Sequence, residues 1–107
     1  MKKIEAFIKA HRLDDVTLAL HDIEGLTGIS VTDAWGCGRG RGSEDNLDDF
    51  HKIVRIEVFC ADALSENIVE TIQRASHTGL RGDGKIFVIP VEQAVRISSG
   101  ERGADAV

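Results

Sequence analysis

Two runs of strict alternation constrain this chain more than any other feature. Ile4, Ala6, Ile8 and Ala10 alternate with Lys3, Glu5, Phe7 and Lys9, and Val54, Ile56, Val58 and Cys60 alternate with Arg55, Glu57 and Phe59. Period 2 places each apolar set on one face of a half-buried strand. A helical stripe follows each run. After the first, Val16, Ala19, Leu20 and Ile23 fall at i, i+3, i+4 and i+7 behind Asp14, which can cap the helix. After the second, Leu64, Ile68, Ile72 and Ala75 share one stripe over residues 63–76, opened by Asp62 or Ser65 and ended by Gly79. Gly25 stands where a helix C′ glycine belongs.

Each helix leads to another strand. From Gly28 to Trp35, Ile29, Val31, Asp33 and Trp35 alternate with Ser30, Thr32 and Ala34, and a last strand runs from Lys85 to Ile89 until Pro90 breaks it. Val91 to Ile97 reads as a short turn and strand, and the polar tail 98–107 is expected to be mobile at its end. The order is therefore βαβ, a long connection, βαβ. Right-handed crossovers of this kind give a single-domain α+β fold, a ferredoxin-like sandwich with two helices on one face of an antiparallel sheet. The other face, expected to carry Phe7, Trp35 and Phe59, then needs cover, and burial between subunits supplies it.

Composition narrows the function classes. The chain has 107 residues and 42% hydrophobic residues, enough for one modest core. A net charge of −5 argues against general nucleic-acid or anionic-membrane binding, which needs a basic face. No stretch approaches a membrane span, so no direct membrane insertion is expected. The N-terminal MKKIEAFIKA is too short and too alternating for a secretory signal. Cys37 and Cys60 lack C-x-x-C spacing, and a reduced, cytoplasmic protein is the simplest reading.

Two segments stand outside the strand and helix periods. Gly36 to Lys52, GCGRGRGSEDNLDDFHK, is glycine-rich and charged, and long enough between two strands to suggest a role of its own. Thr78 to Val88, TGLRGDGKIFV, packs Gly79, Gly82 and Gly84 around Asp83 and ends on Lys85. Such a loop is either a helix stop with a turn or an anion-binding concavity of exposed N–H groups. Gly79-x-x-x-x-Gly84-Lys85 has Walker A spacing, but Ile86 follows where Ser or Thr is needed, and the next segment is strand-like where the motif needs a helix.

In order and spacing, MKKIEAFIK with LDDV, TG-x-S-VTDAWGCGRG-x-G and TGLRGDGKIFV resemble the PII signalling family. The resemblance implies a homotrimer that binds adenine nucleotides (ADP, AMP or ATP) in clefts between subunits. It also implies a protruding T-loop, here 37–52, that docks on a membrane transporter or enzyme. Carried over by position, Gly36, Cys37, Arg39, Glu57, Gly82, Asp83, Gly84 and Lys85 would line the cleft from one subunit. Thr27, Gly28, Ser30 and Arg96 would come from its neighbour. Charge-assisted bonds from Lys85, Arg39 and Arg96 to phosphate agree with that assignment. The alternative is that Lys85 and Arg96 merely pair with surplus acids.

The sequence departs from the family pattern in three ways. Gly40 stands where members carry the glutamine that helps hold magnesium (Mg2+) and 2-oxoglutarate, and Ile53 aligns with the lysine that holds the 2-oxoglutarate carboxylate. Ser98 replaces the second tail arginine, a loss that costs about 2 kcal/mol or more at a triphosphate clamp. ADP and AMP should therefore compete well with ATP. The shortened loop has no tyrosine, which excludes tyrosine uridylylation.

The leading reading is a non-enzymatic regulatory module for nitrogen signalling. No nucleophile–base pair or carboxylate dyad is recognisable from spacing. A second reading is a trimeric metal-binding module linked to heavy-metal efflux. Cys37, Glu44, Asp45, Asp48, Asp49 and His51 would supply ligands of mixed hardness, although no spacing fixes a geometry.

Overall fold

The computed structural model describes residues 1–37 and 50–107. Its order is β1 (Lys2–Lys9), α1 (Leu13–His21), β2 (Ser30–Gly36), β3 (His51–Cys60), α2 (Asp62–Ser76) and β4 (Gly84–Pro90). The strands form one antiparallel sheet ordered β2-β3-β1-β4. Each helix thus joins two parallel strands with a third between them, the ferredoxin-like α+β arrangement.

Register settles which side chains are core. Ile4 pairs with Val58, Ala6 with Ile56 and Ile8 with Val54, and all six are at most 2% exposed. Val16 and Leu20 of α1 and Ile68 and Ile72 of α2 close over them. Full burial of each such aliphatic side chain contributes about 1.5–3 kcal/mol, so this layer holds the helices on the sheet. Cys60 belongs to the same layer, where burial pushes its thiol pKa up and suppresses the reactive thiolate.

The opposite face mixes apolar and ionic groups. Lys3 lies 2.8 Å from both Glu5 and Glu57, while Phe7 and Phe87 meet edge to face at 6.3 Å. Phe59, Phe87 and Ile89 remain exposed there. Trp35 does not join them, contrary to the sequence expectation. It pairs with Lys52, two positions before core residue Val54, so it carries the helix-side parity. The β2–β3 ribbon here extends past the last β1 pairing, Lys9 with Ile53, and Trp35 is 67% exposed.

Several boundaries also differ. A 3-10 turn, Ala10–Arg12, runs straight into α1, so Arg12 is the N-cap and Asp14 lies inside the first turn. There its charge still suits the positive end of the helix dipole. The Arg12 guanidinium donates to the Ala75 carbonyl from Nε at 3.0 Å and Nη2 at 2.7 Å, tying the start of α1 to the end of α2. Ala61 is the N-cap of α2. Its first-turn Asp62 receives the Met1 amine at 2.7 Å. The helix stops at Ser76 with His77 extended, so Gly79 shapes the turn beyond it rather than the helix end.

The chain beyond β4 makes backbone bonds of its own. After β4 the chain crosses the Lys2 end of the sheet, with the Val91 amide donating to the Met1 carbonyl at 3.1 Å. Arg96 N donates to Glu101 O at 2.9 Å, Gly100 N to Arg96 O at 2.7 Å and Gly103 N to Ala94 O at 3.0 Å. Backbone bonds satisfied in this way shape a polar hairpin that composition alone does not reveal. A 3-10 turn, Gly103–Ala106, ends the chain.

Candidate functional site

The expected ligand residues fall into two groups at opposite ends of the sheet. At the Ile8 end, Phe7, Ile8, Val69, Gln73, Ser76, His77, Asp83, Gly84, Lys85 and Ile86 surround a cavity of about 370 Å3. At the Lys2 end, Thr27, Gly28, Ser30 and Arg96 line one of about 440 Å3, together with Glu57 and Phe59. Strand β1 spans the interval in eight residues, Lys2–Lys9. At ~3.3 Å per residue, that is about 23 Å. Glu57 therefore sits with Thr27 and Arg96, not with Gly84 and Lys85 as the sequence grouping had it.

The loop at the Ile8 end is held by its own acid. Asp83 accepts from the Thr78 hydroxyl and, at 2.9 Å, from the Thr78 amide. Lys9 reaches its carboxylate at 3.1 Å, and His77 Nδ1 lies 3.5 Å away. The Thr78 hydroxyl, then the Thr78 amide and the Lys9 ammonium, hold the Asp83 carboxyl well below the usual carboxylate range. Thr78 Oγ1 also accepts the Leu80 amide at 3.1 Å, closing an ST-turn over Gly79. Asp83 thus positions the loop through contacts inside it. Sequence reasoning did not single out Thr78 or Lys9. The hydroxyl just before Gly79 was an available signal for Thr78, whereas nothing in the sequence pointed to Lys9.

Glycine is required by the geometry at Gly84. Its φ is +104°, and a Cβ there would lie 1.7 Å from the Phe7 carbonyl oxygen. Gly82, at φ +79°, also lies in the region that disfavours side chains. Strand β4 begins at Gly84, so a strand follows the glycine loop and the Walker A reading does not apply. Lys85 projects from that strand onto the Phe7 face. Among the described residues no carboxylate lies within ion-pair distance of it, whereas Lys3, Lys9 and Lys52 each have one. An unpaired ammonium beside a glycine turn suits an anion.

The other end is more mixed. Glu57 is held below the normal carboxylate range by the Lys3 ammonium, with Arg55 at 3.4 Å as a second partner. Arg96 Nε stands 4.0 Å from Glu101. Lys2, Ala94, Ala106 and Val107 also line this cavity, and no sequence pattern marked them. Gly36 closes β2, opposite His51, and Cys37 follows it as a half-buried free thiol. Arg39 and Gly40 lie outside the described residues, as do Glu44, Asp45, Asp48 and Asp49 of the metal reading. Among the described residues no three His, Cys, Asp or Glu side chains come together as a metal site. No helix among them is long and apolar enough to cross a membrane.

The fold is a small ferredoxin-like sandwich, with one cavity at each end of its sheet lined by residues expected to hold a ligand. The family Nitrogen regulatory protein P-II matches residues 1–101, and the chain belongs to that family. Its relatives include the P-II proteins of Azospirillum brasilense and Rhodospirillum rubrum, each 51% identical over 113 aligned positions covering 100% of both chains. In structure it is similar to Arabidopsis thaliana PII bound to citrate, with a TM-score of 0.84 and 36% identity over 99% of this chain and 91% of that one. Membership assigns a signalling and regulatory role in nitrogen control.

Proposed function

We propose that the chain is a regulatory homotrimer that binds adenine nucleotides between protomers and uses the segment 37–52 to act on a transporter or enzyme partner. One observation carries this reading. The glycine loop with Lys85 and the cavity with Arg96 lie at opposite ends of β1, too far apart for one nucleotide to touch both on a single chain. A ligand gripped by both groups must bridge two copies, which a cyclic assembly provides.

Chemistry supports a phosphate ligand. Among the described residues Lys85 has no carboxylate within ion-pair distance, Gly82 and Gly84 keep the loop's main chain clear of side chains at positive φ, and the Arg96 guanidinium stands 4.0 Å from Glu101. Ser98 leaves Arg96 without a second arginine two residues on, so diphosphate and monophosphate ligands lose least. Regulation then follows from linkage. Gly36 and Cys37 join β2 to the segment 37–52, so a ligand that contacts this base differently in two loop states shifts their balance.

The test is complementation. Lys85→Ala and Arg96→Ala should each weaken ADP binding tenfold or more by calorimetry. When the two variants are refolded together, about a quarter of the clefts in a random cyclic assembly regain both side chains. ADP binding of near-normal affinity at that reduced stoichiometry is the expected result. A mixture as inert as its parents would overturn the bridging site.

A further inference from the structure

We propose that Lys9 is a positioning residue for the phosphate site: it takes up the Asp83 carboxylate and so leaves Lys85 free for an anion. This role rests on the reading of the glycine loop as a phosphate site, and names what keeps that site open to negative charge.

The cavity at the Ile8 end holds opposite charges side by side. Asp83 and Lys85 line it together, with only Gly84 between them in the chain. A carboxylate in that place acts against an anionic ligand in two ways. It repels the phosphate directly, and it can pair with Lys85 and remove the cation that would bind it. In the structure Asp83 is turned to Lys9 instead, whose ammonium stands 3.1 Å from a carboxylate oxygen. Lys85 has no carboxylate within ion-pair distance among the described residues, Asp83 included.

The sheet puts Lys9 where it can do this. Lys9 follows Ile8, whose ladder partner is Gly84, so it stands level with Asp83 just before the strand. Its own pairing with Ile53 holds it from the other side. The same ammonium donates to Thr78 Oγ1 at 3.2 Å, and the Thr78 amide donates to Asp83 at 2.9 Å. The Lys9 side chain is 22% exposed, against 63% for His77, the other base beside Asp83 at 3.5 Å. The Lys9 pair is therefore the closer of the two and the less screened by solvent. Without its charge, Asp83 would share the cavity with Lys85 as an acid restrained only by Thr78 and an exposed imidazole.

ADP calorimetry on wild type, Lys9→Gln, Asp83→Asn and the double variant tests this role. Glutamine keeps a donor for Thr78 and asparagine keeps an acceptor for it, so each change removes charge more than shape. Lys9→Gln should bind ADP about tenfold more weakly than wild type at low salt. Adding Asp83→Asn to that chain should restore about fivefold, because the acid that Lys9 restrains is gone. The gap between wild type and Lys9→Gln should also shrink toward about 1 M salt, where the Debye length falls to about 3 Å. Unchanged affinity in Lys9→Gln overturns the role. So does a double variant as weak as Lys9→Gln, since a lysine that merely shapes the loop is not replaced by removing its partner. A wild type that binds no adenylate at any salt overturns the phosphate reading itself. Should Lys9→Gln not fold, Asp83→Asn alone decides: with no acid to restrain, it should bind ADP at least as tightly as wild type, and weaker binding overturns the role.

Discussion

Gly84 and the Phe7 carbonyl are so close that no side chain fits between them. A Cβ built on Gly84 falls 1.7 Å from that oxygen, at a φ of +104°. The contact is part of the β1–β4 pairing, in which Gly84 stands opposite Ile8, so neither backbone can retreat without loss of the ladder. Gly84→Ala is therefore expected to cost ~2–4 kcal/mol. Gly79→Ala supplies the control. Its φ of +81° is strained for alanine, but nothing lies within 4 Å of the new methyl, and ~1 kcal/mol is expected. Urea midpoints of the two variants that coincide would remove the steric argument.

The Asp83 carboxylate predicts a pH dependence. Its folded pKa is depressed, so the charged form stabilises the loop fully above the ordinary Asp value of about 3.9 and that contribution fades as pH falls below it. The groups facing it are Thr78, Lys9 and His77. Asp83→Asn should lower the melting temperature at pH 7, and the gap to wild type should narrow steadily from pH 5 to pH 3. A gap that stays constant over that range would show that the charge of Asp83 does not hold the loop.

Most of the fold could be read from period alone, because β1 and β3 lie in the middle of the sheet with one face under the helices. Ile4 to Ile8 and Val54 to Cys60 are apolar on that face throughout, and the alternation had one meaning. Strand β2 is an edge, and both of its side-chain sets contain apolar residues. Grouping Trp35 with Phe7 and Phe59 required the register with β3, which no local pattern supplies. Asp14 looked like a cap because the 3-10 turn before α1 has no distinguishing residues. The hairpin from Ala94 to Gly103 could not be read from composition, because backbone bonds make it. At the site, glycine spacing exposed the loop, but the contacts that fix Asp83 are a consequence of the fold. That the two groups of expected site residues lie at opposite ends of β1 likewise emerged only from the pairing.

The core supplies a third prediction. Ile56 is fully buried on the central strand β3, opposite Ala6 and in one core cluster with Val16, Leu20, Ile68 and Ile72 of the helices. Ile56→Ala removes three carbons where the neighbours cannot collapse, and ~3–4 kcal/mol is expected. Ile97 is 99% exposed, and Ile97→Ala should stay within ~0.5 kcal/mol. A large loss at Ile97 in chemical denaturation would mean that another copy of the chain covers it.

The uncovered sheet face makes the last prediction. Phe59, Phe87 and Ile89 share it with Phe7 and with Lys3, which has a carboxylate on either side at Glu5 and Glu57. Because Lys3 is satisfied within the chain, this face can pack against a copy of itself without leaving that charge unpaired. Phe59, 47% exposed, flanks the ion cluster, with its ring 6.0 Å from the Lys3 ammonium. Phe59→Asp puts a third carboxylate on the face, which would have to be desolvated at a subunit contact but stays in water on an isolated chain. The variant should run as a monomer by light scattering, with a far-ultraviolet spectrum like that of wild type, because Phe59 lies on the face opposite the helices. It should also lose ADP binding, since a site assembled from two copies disappears with the contact between them. A monomer that still bound ADP with wild-type affinity would show that one chain suffices.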